Sequence, residues 1–395
     1  MASRKNTKQV VVSKALKKRS LKSALLGADW FVNTQVNDVS QPTNDANKGR
    51  FLYNAHCFSS YGTWGIDWTS ARAVFILLAA YRETKKKVYL DTVKNGLKYI
   101  YSLQVMDKRD KSLYGVFHEE TPQSFWVFPR DGIELADCLL EYYRITKDKE
   151  ALFRAELFLD WFIRETMFKT KKGITWVYRQ VDFDGKKDPA IACCEGGNTM
   201  ALAHAYKITG KAKYKIAMKK IMDSQIEMYH QAEGPFIDKY RGEGHHVAKG
   251  GAIDNDDGAG IGLLCAYDIL KDKKYLTHAL SLADYHVSKN AEYSVYCALP
   301  AACTFLMEIT KYTKDDKYLK MAVKQINKIF TYQHFNPKSL NSHGAFIGED
   351  EGGINYVAGF KPKPEEMVTT RTTAFACLSL FKLASKHWPL GYSVI

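Results

Sequence analysis

AAYRETKKKVYL at residues 79–90 and EYYRITKDKEAL at residues 141–152 are two renderings of one phrase. An apolar helical stretch runs into an aromatic or basic residue, then a Thr, a Lys-rich turn and a second helix. The phrase returns as AHAYKITGKAKY (203–214), CAYDILKDKKYL (265–276) and MEITKYTKDDKYL (307–319). Its pivots Thr84, Thr146, Thr209, Leu270 and Thr313 lie 62, 63, 61 and 43 residues apart. Repetition on this scale marks one supersecondary unit stacked on copies of itself, and here the unit is a helical hairpin.

Working outward from these turns, helical periodicity predicts helices near 13–36, 69–84, 88–103, 132–146, 150–167 and 198–209, then 212–232, 258–270, 274–289, 299–313, 317–333 and 370–386. Two kinds alternate. ARAVFILLAAY, MALAHAY, GAGIGLLCAY and TTAFACLSLFKLA are apolar nearly all round, as helices buried on most sides are. Their partners, such as KYKIAMKKIMDSQIEMY, are amphipathic with Lys-rich faces. An inner ring of apolar helices wrapped by an outer ring accounts for both, so the expected fold is all-α, an (α/α)6 toroid. It should form a single domain over 23–395, preceded by a basic arm or helix start at 1–22. An open solenoid would need polar capping helices, and none is evident.

The turns inside each hairpin are short. The connections from outer to inner helix are long, at about 37–68, 107–131, 168–197, 233–257 and 334–369, with only 290–298 brief. In an alternating ring these insertions all fall on one face, at the N-terminal ends of the inner helices. Long loops in a compact domain are usually functional or disordered. These are rich in Trp, Tyr, His, Asp, Glu and Gly, which favours function. Helix N-termini add free N–H groups and partial positive charge, so a carboxylate-bearing ligand suits that face.

Composition narrows the class. Hydrophobic residues make up 46% of the chain, enough for a substantial core. The net charge is +14, but eight basic residues and no acid lie within 1–22, leaving +6 for the rest. With no zinc-finger or RNA-binding signature, no nucleic-acid partner is expected, and no apolar run is long enough to expect a membrane partner. The cysteines sit largely in apolar helical stretches without a CxxC pair, and the start of the chain lacks the apolar core of a secretory signal. A reduced, cytoplasmic setting is expected. No P-loop, GxGxxG, HExxH or GxSxG is present, so no cofactor and no metal is expected. A homodimer is compatible with all of this.

The densest candidate site lies between the seventh and eighth helices: Tyr240, Arg241, His245 and His246, then Asp254, Asp256 and Asp257. Three carboxylates within four positions can supply general acid/base chemistry, bind sugar hydroxyls or hold a cation, and one of them can cap the following helix. Either His can act as a base or bind a substrate carboxylate. The second candidate is FWVFPRDGIE at 125–134: Pro129 starts a turn, and Arg130 and Asp131 stand at the mouth of the next inner helix. Asp131 is either a helix cap or a catalytic acid, with Arg130 able to bind an anionic group. The third is TWGIDW at 63–68, where Trp64 and Trp68 can stack on sugar rings or fill the core, and Asp67 can bind hydroxyls or cap the helix. Trp126, Glu195 before the sixth helix and Arg371 opening the twelfth complete the expected substrate-binding set.

Repeated hairpins with acidic and aromatic loops at inner-helix N-termini resemble the six-hairpin glycosidase superfamily. That resemblance covers nearly the whole chain and implies a carbohydrate-active enzyme. The Pro129-Arg130-Asp131 turn resembles the place where unsaturated uronyl hydrolases carry an Asp acid/base. Asp256-Asp257 before a small-residue helix is similar to the paired Asp of some α-mannan hydrolases.

The expected function is therefore glycoside hydrolysis of an oligosaccharide, one containing uronic acid included, by carboxylate acid/base catalysis. A polysaccharide lyase or sugar epimerase using Tyr240, His245 and His246 is the alternative. A non-catalytic glycan- or polyanion-binding protein is the third reading.

Overall fold

The computed structural model describes residues 12–37, 48–59, 62–169, 173, 175–191, 195–230, 247–248, 252–253, 259–293, 296–348, 362–388, 391 and 393–395. Twelve α-helices are present among them: α1 (Lys14–Thr34), α2 (Asp67–Thr84), α3 (Lys87–Leu103), α4 (Pro129–Thr146), α5 (Lys149–Trp161), α6 (Glu195–Thr209), α7 (Ala212–His230), α8 (Ala259–Leu270), α9 (Lys273–Ser288), α10 (Ala298–Ile309), α11 (Lys317–Ile329) and α12 (Thr370–Ala384). Lys14 to Lys22 of the basic stretch belong to α1, which Ser13 caps by accepting the Leu16 N–H.

The repeated phrase has a repeated geometry. Thr84, Thr146 and Thr209 each donate their hydroxyl back to a carbonyl four residues earlier, at 2.8, 2.8 and 2.7 Å. Each also accepts the N–H two residues on, at 3.2, 3.3 and 3.2 Å. The next residue turns left-handed: Lys85, Lys147, Gly210 and Lys271 have φ of 60°, 63°, 71° and 58°. That is the usual way to satisfy the last carbonyls of a helix, and Gly210 does it without a Cβ penalty. The fifth copy departs from this pattern. α10 stops at Ile309, four residues before the expected end at Thr313, with a right-handed residue after it.

α2, α4, α6, α8, α10 and α12 contact one another in sequence, and α12 returns to α2, so the inner ring closes. Each outer helix packs on the inner helix before it, and the sixth hairpin is assembled from the two ends of the chain, α12 with α1. Residues 71, 73, 74 and 76–80 of α2 have no exposed surface, as expected of an apolar helix enclosed on all sides. At the α1–α12 seam, Gly27 lets the helices approach so closely that a Cβ there would lie 2.4 Å from Cys377 Sγ.

Short antiparallel sheets brace the loop face. β1 (Leu52–His56) joins β2 (Gly62–Trp64) and β9 (Met367–Thr369), tying the approach to α2 to the approach to α12. β3 (Trp126–Val127) and β4 (Met167–Lys169) both pair with β5 (Thr175–Asp182), which also carries β6 (Lys187–Ile191). A two-stranded pair, β7 (Val247–Ala248) with β8 (Ala252–Ile253), precedes α8. No helix among the described residues is long and apolar enough to cross a membrane.

Toward the C-terminal ends of the inner helices the chain's last residues form a strap. The Ser393 carbonyl meets His204 Nε2 of α6 at 2.8 Å and Cys265 Sγ of α8 at 3.7 Å. Its hydroxyl accepts from Lys382 Nζ of α12 at 3.0 Å. Lys382 in turn pairs with Glu308 of α10, and His204 Nδ1 lies 2.7 Å from Asp137 Oδ1 of α4. The cysteines at 57, 138, 265, 297, 303 and 377 are buried free thiols.

Candidate active site

The N-terminal ends of α2 and α4 bring Asp67 and Asp131 together, with Glu119 from the loop between α3 and α4. One carboxylate oxygen from each lies within 4.8 Å of the others, and all three residues are buried. Local structure explains the convergence. The Gly65 turn presses against the chain, its N–H donating to Phe51 O at 2.7 Å and its carbonyl accepting from Arg50 Nε at 2.9 Å. A Cβ at Gly65 would meet Thr69 Oγ1 at 2.2 Å, so only glycine allows this entry into α2. Pro129 takes the first position of α4, where its missing N–H costs nothing.

Neither helix is capped as the sequence suggested. Ile66 and Phe128 hold the cap positions without side-chain cap bonds. Asp67 lies in the first turn and accepts the Trp68 N–H at 2.6 Å through Oδ1. Asp131 accepts instead from Arg130 Nε at 3.2 Å. Glu119 accepts the Phe128 N–H at 2.8 Å through Oε2, while its carbonyl accepts the Asp67 N–H at 3.1 Å.

Burial is the main force on the protonation of this cluster. It lifts the Asp67 carboxyl well above the ordinary carboxylate range, and the Asp131 charge adds to the lift. Burial lifts Glu119 in the same direction, followed by the charges of Asp67 and Asp131 and by a side-chain hydrogen bond to Asp131. Two acids of the three are therefore protonated where ordinary carboxyls have ionised. Three oxygens at this spacing would also suit a hard divalent cation. Within the protein, the Arg130 guanidinium lies 3.2 Å from Asp131 and offsets one carboxylate charge.

Exposure separates the three. Asp67 is wholly enclosed and Glu119 retains 3% of its surface, whereas Asp131 keeps 7%. Trp64 on β2 and Trp126 on β3, the strands leading into α2 and α4, are 48% and 37% exposed and free to meet a ring. Trp68 is not. It is buried against Tyr53 with the Arg72 guanidinium over its ring, so the stacking role expected for it is corrected to packing. Arg72 also binds Glu134 at 2.7 Å, locking α2 to α4. Glu195 opens α6, and Arg371 lies half-buried in the first turn of α12. Tyr240, Arg241, His245, His246, Asp254, Asp256 and Asp257 lie outside the described residues, as does the 349–351 acidic triplet.

Glu119 is the residue that sequence reasoning passed over. Its neighbourhood, FHEETPQSFWVFPRD at 117–131, sits in a long loop ending at an inner helix. Among so many acidic loop residues, only contact with two helix N-termini distinguishes it.

The fold is the (α/α)6 toroid found among carbohydrate-active enzymes. The cellobiose 2-epimerase of Spirochaeta thermophila is similar over 94% of this chain and 97% of its own, with TM-score 0.64 and 13% identity. A D-mannose isomerase matches over 94% of this chain and 98% of its own, with TM-score 0.65 and 15% identity. A family 76 glycoside hydrolase (mannosidase) of Bacteroides thetaiotaomicron matches over 92% and 97%, with TM-score 0.63 and 13% identity. No protein-family model matches the chain, and no curated protein matches it in sequence.

Proposed function

We propose that the protein is a glycoside hydrolase in which Asp131 is the reacting carboxyl. The observation that carries this reading is the buried trio Asp67, Glu119 and Asp131, of which Asp131 keeps the most exposed surface. The Asp131 carboxylate first takes a proton from solvent and then gives it to the glycosidic oxygen. The bond from the anomeric carbon to that oxygen breaks, with its electrons going to the oxygen. Water adds to the anomeric carbon and returns its second proton to the Asp131 carboxylate. For an unsaturated uronide the proton goes to the vinyl ether carbon and water adds to the resulting oxocarbenium carbon. The hemiketal returns a proton to Asp131 and opens its ring to a ketone, and the hemiacetal so formed collapses to an aldehyde with release of the leaving alcohol. The three acids cluster, one oxygen of each within 4.8 Å of the others, which suits a step in which one carboxyl both gives and recovers the proton. Trp64 and Trp126 stack on sugar rings. The buried free thiols are compatible with a cytoplasmic setting.

A panel of α-1,6-mannan, cellobiose and lyase-generated unsaturated uronides tests the reading. New reducing ends, or loss of the uronide chromophore, should appear with the natural chain and fall at least about 100-fold in Asp131→Asn. Full activity in that variant sinks it.

Sugar epimerisation or isomerisation is the second reading, favoured by the cellobiose epimerase and mannose isomerase among the similar folds. Solvent deuterium entering a sugar carbon without change in chain length would favour it over hydrolysis.

A further inference from the structure

Resting on that reading of the site, we propose that Glu119 is its positioning residue: it fastens the N-termini of α2 and α4 together and presents a protonated carboxyl to Asp131. Glu119 makes one bond to each helix. Its carbonyl takes the first N–H of α2, from Asp67, and its side-chain Oε2 takes the N–H of Phe128, the cap of α4. Those N–H groups are orphans of a helix start and need a partner when buried. Because one residue answers both, the separation of Asp67 and Asp131 is set by Glu119 rather than by either helix.

The remaining oxygen, Oε1, is enclosed and accepts no N–H or O–H from another group. An ionised carboxylate in that position would face Asp67 and Asp131 with a bare oxygen, at the full desolvation cost of an unmet buried charge. A protonated Glu119 instead donates to Asp131, which matches the upward shift burial imposes on it. The other titratable and charged groups around it are Asp67 from α2, Tyr99 from α3, Arg130, Asp131 and Glu134 from α4, and Arg50 and Glu120 from the flanking loops. Arg72, paired with Glu134 at 2.7 Å, joins Arg50 and Arg130, and three guanidinium groups against five carboxyls leave protons as the remaining counter-charge. After Asp131 has given its proton to substrate, the Glu119 O–H steadies the carboxylate left behind, without transferring its own proton.

The test needs no known substrate. Infrared difference spectra of the full-length chain, taken across a pH titration, should show a protonated-carboxyl band persisting at neutral pH. Glu119→Gln should remove part of that band, while the exposed-site control Asp107→Asn leaves it intact. Amide exchange at Phe128 should stay slow in Glu119→Gln, whose amide can accept and donate as the acid does, and rise at least tenfold in Glu119→Ala, while Asp67, bonded to the main-chain carbonyl that both variants keep, serves as the internal reference. An unchanged band in Glu119→Gln, or slow exchange at Phe128 in Glu119→Ala, overturns the inference. Failure to turn over any glycan, with these spectra as expected, overturns the hydrolase reading alone.

Discussion

Tyr318 of α11 donates its hydroxyl to Asp284 of α9 at 2.8 Å, joining one outer helix to the one before it. The same joint recurs around the ring: Tyr89 to Asp29 at 2.7 Å, Tyr214 to Asp160 at 3.3 Å and Tyr275 to Asp223 at 2.5 Å. A Lys beside three of these tyrosines adds a second bond to the same acid: Lys213 at 2.5 Å, Lys274 at 2.7 Å and Lys317 at 2.8 Å. At the α3–α5 junction Ala151 stands near the start of α5 in place of the Tyr. There Arg154 bridges instead, over the Tyr101 ring and to Gln104 Oε1 at 3.2 Å.

The belt makes a graded prediction. Tyr318→Phe should cost about 1 kcal/mol, the net worth of one such hydrogen bond. Tyr89, Tyr275 and Tyr318 changed together should cost about three times that, because well-separated sites add. Urea denaturation followed by circular dichroism measures both, and a triple variant as stable as the natural chain would show that the belt is ornamental.

Asp67→Asn should stabilise the protein at neutral pH. In the unfolded chain Asp67 ionises near 3.8, whereas burial and Asp131 keep its proton in place well above that in the folded chain. Between those values the folded state holds a proton the unfolded state has lost, so stability falls as pH rises through the window. Asn retains the bond from the Trp68 N–H and has nothing to ionise. A gain of about 1 kcal/mol or more at pH 7 that vanishes near pH 3 is expected from thermal melts at the two pH values.

His204 should run on alkaline pH. Burial pulls its pKa down, but the charge and hydrogen bond of Asp137 outweigh that and push it up to about 10 from 6.5. Its contribution is present in full below 6.5 and lost as pH rises through about 10. Lys382, lowered to about 8 chiefly by burial, titrates in the opposite sense. His204→Gln should therefore destabilise most at pH 6, by about 3–5 kcal/mol as for a broken buried pair, and least above pH 10. Melting curves from pH 6 to 10.5 read this out, and a pH-independent loss would argue against the charged pair.

Gly27→Val should cost about 1–3 kcal/mol by overpacking the α1–α12 seam. Cys377→Ala, which removes the sulfur a side chain at position 27 would strike, should return part of that loss. A double variant no better than Gly27→Val in denaturant titrations would place the strain elsewhere.

The architecture was legible because the repeat is written in local chemistry. Thr84, Thr146 and Thr209 with their Lys-rich turns are visible in any window of a dozen residues, and helix type follows from apolar periodicity. The end of α10 at Ile309 was not, because Thr313 repeats the phrase without the left-handed residue that ends the other helices. At the site, Asp131 and Asp67 were legible from their places at helix mouths, and Trp126 and Trp64 from the strands beside them. The burial of Trp68 and the part played by Glu119 depend on Tyr53 and Asp67, 15 and 52 residues away in the chain, whose contacts no spacing announces.

The seam between α1 and α12 also dictates when this molecule can finish assembling. Every other hairpin can form from consecutive residues soon after synthesis, but α1 has no inner partner until the last helix of the ring has been made. Until α12 is made the apolar flanks of α1 and α2 stand open, and the ring closes only when α12 reaches back to α1. A ribosome that stalls before residue 370 leaves that wound unclosed, which makes truncated chains natural clients for chaperones.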